Sequence, residues 1–386
     1  MSGDTKAPAS GPISRRRLHG AAFGAAAALA ATRGAGAWPG VPAHAPSVAA
    51  DPDAFFLAFS SLPPKEFAAG VARFARTETM PALEGLSLAA ITMTADSVRE
   101  VHWHDNADEL TWVRSGSGVA IMLWNGTRTV MPLEPGSLIY LPKGSAHAIW
   151  STGEDPMELL LGFNNPNPET IEFSTSLPFV PVQVLAQAGG VAPGDVPFLP
   201  RVPEAFAAPL AGDPPAATSD ASRFSTRLQD VAVETFAGGT RRLADAEDIP
   251  ALDGIKFTEI TLEPGASRLP HWHPAMNEVI CCVAGTVQVG VIGSGDEEQT
   301  AVLRPGDVGF VPVSWLHYLA NVGEEEATLV LYHDAVPIGF IELADVLAAF
   351  PPDLLAASFG IDGAAFASMG QGPSPIIAGP AAGTGA

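Results

Sequence analysis

Two short stretches of this chain read His102-Trp103-His104 and His271-Trp272-His273. The first is followed by Glu109, Gly116 and His147, the second by Glu278, Gly285 and His317. The histidine pairs, the glutamates and the glycines lie 169 positions apart, and the distal histidines 170. One offset shared by so many positions marks a duplicated unit. In a β-strand, side chains at i and i+2 point to the same face, so each H-x-H aims two imidazoles at one point. A carboxylate from the next strand and an imidazole from a later one can close the set. Three imidazoles and one carboxylate suit a divalent ion from manganese to zinc. On an octahedral ion such a set leaves two positions free for substrate and oxygen.

Arg99 lies three residues before His102, and Arg268 three before His271. A guanidinium at that place can hold a carboxylate through two parallel hydrogen bonds. The repeated offset favours a substrate contact over a barrel-rim salt bridge, for Arg99 above all. Cys281 and Cys282 are adjacent. In a strand their side chains diverge, so they read as small buried hydrophobes rather than a disulfide or a metal pair.

The elements that must carry these residues are short strands. Val119 to Trp124, Asn125-Gly126 and Thr127 to Met131 read as a hairpin with a tight turn, and Ser137 to Leu141 as another strand. Thr286 to Ile292, Gly293-Ser294-Gly295 and Thr300 to Leu303 repeat the pattern. Many short strands in two copies predict an all-β chain of two tandem jelly-roll barrels with short peripheral helices. The barrels are expected over 55–183 and 223–366. A Pro/Ala/Gly-rich linker with one short helix is expected at 184–222. Ala344 to Phe359 is helical in pattern, broken at Pro351-Pro352, and 367–386 is expected to be a disordered tail.

The chain has 386 residues, enough for two sizeable cores, and a formal net charge of −22. That balance argues against nucleic-acid binding, because nothing would neutralise phosphates. Ser14-Arg15-Arg16-Arg17-Leu18 resembles a twin-arginine motif, and the apolar run Gly20 to Ala31 after it is too short to span a bilayer. Residues 1–37 therefore read as a twin-arginine-type signal peptide with cleavage near Ala35-Gly36-Ala37, and the chain as periplasmic or secreted. No membrane partner is expected. Such export carries folded proteins, so a weak binder such as manganese could be loaded in the cytoplasm, before competing ions are met.

Together these residues resemble the cupin pattern G-x5-H-x-H-x4-E-x6-G followed by G-x5-P-x-G-x2-H-x3-N. The second copy carries Gly265, His271, His273, Glu278, Gly285, Gly306, Pro312, His317 and Asn321, departing only at Ser314. The first carries His102, His104, Glu109, Gly116, Gly136, Pro142, Gly144 and His147, departing at Asp96 and Ser151. Asp108 is a rival to Glu109, which keeps the spacing to Gly116. From about Phe74 to Phe366, with Val98 to His104 and Pro305 to Pro312 as markers, the chain resembles the bicupin oxalate decarboxylases.

The resemblance implies a homo-oligomeric enzyme with two manganese ions per chain and dioxygen as cofactor, converting the small carboxylate oxalate to formate and carbon dioxide. It implies metal ligation by His102, His104, Glu109 and His147, and by His271, His273, Glu278 and His317. It implies substrate contact by Arg99 and Arg268. It also implies a glutamate acid on a lid after the strand ending near Phe163, where this chain offers Glu169, with Glu172 the nearest competitor. The family's lid tetrad is absent, which keeps oxalate oxidase or a bicupin dioxygenase open as alternatives, and a non-catalytic storage or ligand-binding bicupin behind them. Where the family carries a second glutamate, this chain has Leu331. The first copy is therefore expected to be the catalytic one.

Overall fold

The computed structural model describes residues 55–200, 205–294, 298–334, 339–369 and 374–379. The signal-like segment 1–37 lies outside them. The jelly-roll expectation holds in both copies: each barrel is two antiparallel sheets face to face. In the first barrel one sheet runs, in spatial order, Ser225–Arg227, Ser137–Leu141, Glu109–Ser115, Met157–Phe163, Ser87–Met93, Gly70–Ala75 and Lys65–Phe67. The facing sheet runs Ile171–Glu172, Ser97–Trp103, Ala146–Ser151, Gly118–Trp124 and Thr127–Leu133, with Ala207–Pro209 added alongside Ser97–Trp103. The second barrel repeats both orders. Glu278–Ala284 sits between Asp307–Val311 and Ala327–His333, and Ser267–Trp272 lies between Leu316–Asn321 and Ile341–Glu342.

Two strands are exchanged between the barrels. Phe56–Ala58 pairs with Asp307–Val311 of the second, and Ser225–Arg227 pairs with Ser137–Leu141 of the first. The divisions expected at 55 and 223 therefore separate strands from the sheets they complete. The exchange continues in the core. The Tyr332 hydroxyl donates to the Leu160 carbonyl at 3.0 Å. Its ring fills the space over Gly162, where an added Cβ would lie 2.2 Å from it. Gly162 is the counterpart of Tyr332, 170 positions earlier, so the duplication has diverged to a large residue on one side of the contact and none on the other.

Local sequence accounts for several details. Asn125 and Gly126 adopt positive φ, 49° and 77°, as a two-residue hairpin turn demands. Two departures from the cupin pattern, Asp96 (φ 48°) and Ser314 (φ 65°), fall where the backbone is left-handed and glycine would be unstrained. The C-terminal helical pattern forms Leu343–Ala349 and Pro352–Ala357, broken at the expected prolines.

Two expectations are corrected. The linker is more than a connection, because Ala207–Pro209 is a strand of the first barrel. The tail is not uniformly disordered: Ile376–Ile377 pairs with Ser267 and Arg268 as the second copy's equivalent of that strand. Low complexity hid both, since a two- or three-residue edge strand needs only free backbone groups to pair with.

Candidate metal centres

The first centre is built on one row of the sheet that contains Ser97–Trp103, Ala146–Ser151 and Ile171–Glu172. His147 and His102 are directly opposite in register, as are His102 and Glu172, and opposed residues share a face. His104, just past the strand end, and Glu109, from the strand Glu109–Ser115 of the barrel's other sheet, complete the quartet. The four side chains are buried, and one ligand atom from each lies within 4.8 Å of the others. Three backbone carbonyls orient the imidazoles through their Nδ1 atoms: Glu100 for His102 (2.8 Å), Glu169 for His104 (2.9 Å) and Ser145 for His147 (2.9 Å). Each Nε2 is thereby aimed inward. The Glu109 carboxylate accepts from the Thr111 hydroxyl at 2.6 Å through Oε1, and its Oε2 lies 3.1 Å from His104 Nε2.

The second centre repeats the plan with His271, His273, Glu278 and His317. Leu269, Gly339 and Trp315 supply the orienting carbonyls, at 2.8, 3.1 and 3.0 Å. Asp108 belongs to neither centre. It bonds to Asn164 and to the Lys143 amide, and Asn277 with Asp334 forms the reciprocal pair in the second copy. The two cysteines are buried and unpaired, and burial pushes both thiols up to about 12.

The residues present fit a cation. His104 needs Nδ1–H to donate to the Glu169 carbonyl, yet its Nε2 also faces an acceptor. A neutral imidazole has one N–H, so it satisfies one of these contacts, and a positive ion satisfies the other. His273 is in the same position. His147 Nε2, His317 Nε2 and Glu278 Oε1 are buried without a hydrogen-bond partner. Each such atom costs about 1–3 kcal/mol unless something else pairs with it.

Burial is the largest cause holding the His102 and His271 imidazoles well below their usual range, and it brings His317 down to about 4. Burial alone would raise Glu109 and Glu278. The hydrogen bonds and charges of His104 and His147, and of His317, His273 and His333, outweigh it and hold both carboxyls low. The unfolded chain therefore binds protons that the folded chain refuses. Stability present above about pH 6.5 is lost as pH falls toward 4. The metal-free protein should lose on the order of 5 °C in Tm across that window by calorimetry. A flat Tm would contradict the buried neutral imidazoles.

The guanidinium of Arg99 already holds a carboxylate through two parallel bonds, and the carboxylate is the chain's own. Nη1 and Nη2 donate to Glu172 Oε2 and Oε1 at 2.8 and 2.6 Å, Nη1 donates to the Phe206 carbonyl, and the Phe206 ring lies under the guanidinium at 3.8 Å. Arg268 does the same with Glu342 (2.7 and 2.7 Å) and the Pro375 carbonyl. From the sequence a glutamate-bearing segment is expected after the first copy alone, with Leu331 as the second copy's counterpart. Glu342 corrects that. The signal was available: Ile171-Glu172 and Ile341-Glu342 repeat at the offset of 170 shared by the distal histidines.

Glu169 and Glu172 have different surroundings. Glu169 has an exposed side chain, and its contribution to the centre is its backbone carbonyl. Glu172 is buried on the ligand face. Around the second centre a small cavity is lined by Arg268, His271, Glu278, Leu331, His333 and Phe340. Phe340 packs edge-on against His273 at 5.0 Å, where the first copy has the smaller Thr170. His333 and Phe206 were not singled out in the sequence, His333 because the first copy has Phe163 at its place.

The chain matches the cupin family over residues 58–196 and again over 230–365. It is similar to oxalate decarboxylase OxdC of Bacillus subtilis, 27% identical over 268 residues that span 66% of this chain and 69% of the relative. An oxalate decarboxylase of Arthroderma benhamiae is 26% identical over 317 residues, 73% and 74% of the two chains. A structure of the Bacillus enzyme at pH 4.6 superposes with a TM-score of 0.76 at 24% identity, covering 85% of this chain and 88% of that one. No helix among the described residues is long and apolar enough to cross a membrane.

Proposed function

The chain belongs to the cupin family, as two tandem copies with both ligand quartets intact, and from that premise we propose that it is a manganese-dependent enzyme converting oxalate to formate and carbon dioxide. The observation that carries this reading is the row Glu172–His102–His147, which sets a buried carboxylate–guanidinium pair beside the first quartet. Support for the substrate comes from the relatives, which are named oxalate decarboxylases, and for manganese from a structure of the Bacillus enzyme described by its Mn(II) centres. His102, His104, Glu109 and His147 would hold one ion, and His271, His273, Glu278 and His317 the other. A bound ion would supply a Lewis acid and would take up and return one electron, with dioxygen as a cofactor that is not consumed.

The chain's own groups do the rest. Oxalate presents a planar carboxylate like that of Glu172, so it can take Glu172's place on the Arg99 fork. A buried carboxylate that loses its cationic partner takes up a proton more readily. Glu172 is then next to the reacting carbon with a proton to give. The C–C bond breaks, carbon dioxide leaves, and the proton goes to the carbon of the remaining fragment, giving formate. We assign the acid to Glu172 rather than to Glu169, because the former lies on the ligand face and the latter's side chain is exposed. If neither delivers the proton, oxalate is oxidised, with carbon dioxide and hydrogen peroxide as products. The absence of the family's lid tetrad and the engagement of Glu172 by Arg99 favour this as the second reading.

The second ion has a structural part in this reading: Phe340 and Leu331 close its surroundings with apolar surface. Arg15-Arg16-Arg17 supports export to the periplasm or beyond by the twin-arginine route. Exposed Phe179, Phe198, Leu354 and Phe359, in or near the short helices after the two barrels, support assembly into a homo-oligomer. The test of function is carbon NMR of labelled oxalate with manganese-loaded protein. One formate per oxalate consumed is expected. Oxalate consumed with peroxide and no formate would move the assignment to the oxidase, and unconsumed oxalate would remove both.

A further inference from the structure

The second centre contains an imidazole that the first has no equivalent of. His333 ends the strand Ala327–His333, is 1% exposed, and lies directly opposite Glu278 in register. Its Nε2 is 2.9 Å from Glu278 Oε2. Its counterpart Phe163 lies opposite Glu109 in the same way. Each ring sits edge-on to the equivalent ligand histidine of its copy, Phe163 at 5.0 Å from His104 and His333 at 5.3 Å from His273. The two positions pack alike, and only one of them can make a hydrogen bond.

The ligand glutamates are anchored differently as a result. Glu109 is held through Oε1 by the Thr111 hydroxyl, which leaves Oε2 toward His104 and His147. The residue equivalent to Thr111 is Ile280, which has no donor. Glu278 is held through Oε2 instead, the oxygen that also lies 3.0 Å from His273 Nε2, while Oε1 has no hydrogen-bond partner and lies 3.6 Å from His317 Nε2. Facing a carboxylate, His333 donates from Nε2–H, which leaves Nδ1 as a bare acceptor. Nδ1 is indeed buried and unpartnered.

We infer that His333 is a positioning residue of the second metal centre: it anchors Glu278 through Oε2 and so fixes its carboxylate against the ligand imidazoles, replacing the anchor that Thr111 gives Glu109. The inference rests on reading the quartets as metal centres. Partners that orient ligating carboxylates typically contribute 10–100-fold to metal affinity. The duplicated centres would then hold their ions through different outer contacts, a hydroxyl in one and an imidazole in the other.

The test isolates the second centre in a His102→Ala background and titrates manganese, with Mn(II) paramagnetic resonance as a second readout. His333→Phe installs the residue that the first copy already packs at this position, which protects the fold. It should weaken binding about 10–100-fold and change the Mn(II) spectrum. His333→Gln, whose amide can still donate to Oε2, should stay within about threefold of the parent. Thr111→Val in a His271→Ala background should weaken the first centre in the same sense. Unchanged affinity and spectrum in His333→Phe would overturn the anchor while leaving the metal reading in place. A His102→Ala parent that binds no manganese at the second centre would overturn both.

Discussion

Arg99→Lys should lower kcat/KM for oxalate by about a hundredfold or more, the scale seen when a placed donor to a reacting oxyanion is lost. Lysine keeps the charge and gives up the fork, so a carboxylate can no longer be held in one plane by two parallel bonds. It also gives up the flat surface that stacks on Phe206 at 3.8 Å. Part of any loss could come from disturbing a buried pair. The duplication supplies the control: Arg268 makes the same two bonds to Glu342 and the same third bond to a backbone carbonyl. Arg268→Lys should therefore cost comparable stability, and with a closed second centre it should change turnover less than about threefold, well short of the loss of a placed donor. Steady-state kinetics alongside thermal unfolding of both variants separates the contributions. Equal losses of turnover would contradict a single catalytic centre.

Glu172→Gln should abolish formate production while oxalate consumption continues to peroxide. The amide keeps the shape and part of the hydrogen bonding to Arg99 but carries no transferable proton. The expected fall in formate is about 10²–10⁴-fold, the usual contribution of a positioned general acid. Glu169→Gln should leave formate unchanged, because the contact of Glu169 with the centre is a main-chain carbonyl that the substitution does not touch. The reverse pattern would return the acid to Glu169, and unchanged formate in both variants would remove each of them from proton delivery.

What could be read from the sequence follows from how each feature is encoded. The metal quartets depend on side-chain identity at fixed strand spacing, so they stand out in the letters, and the duplication supplied an internal alignment. The hairpin at Asn125-Gly126 was legible because a left-handed turn restricts which residues fit. The pairing of Arg99 with Glu172 was half legible: the arginine repeats beside a motif, whereas its partner is 73 residues away. Pairing across that distance is decided by the fold. His333 was illegible for the opposite reason, since divergence between the copies removed the repeat that would have marked it. The strand exchange through Phe56–Ala58 and Ser225–Arg227 leaves no mark in composition, because edge pairing uses backbone groups that every residue carries.

The claim on which the rest depends is that the two quartets are two metal centres. Elemental analysis of manganese-loaded protein tests it most directly. The expected result is close to two ions per chain, with His102→Ala and His271→Ala each losing about one and the double variant losing both. A wild-type content near zero, or two ions retained in either single variant, would contradict it.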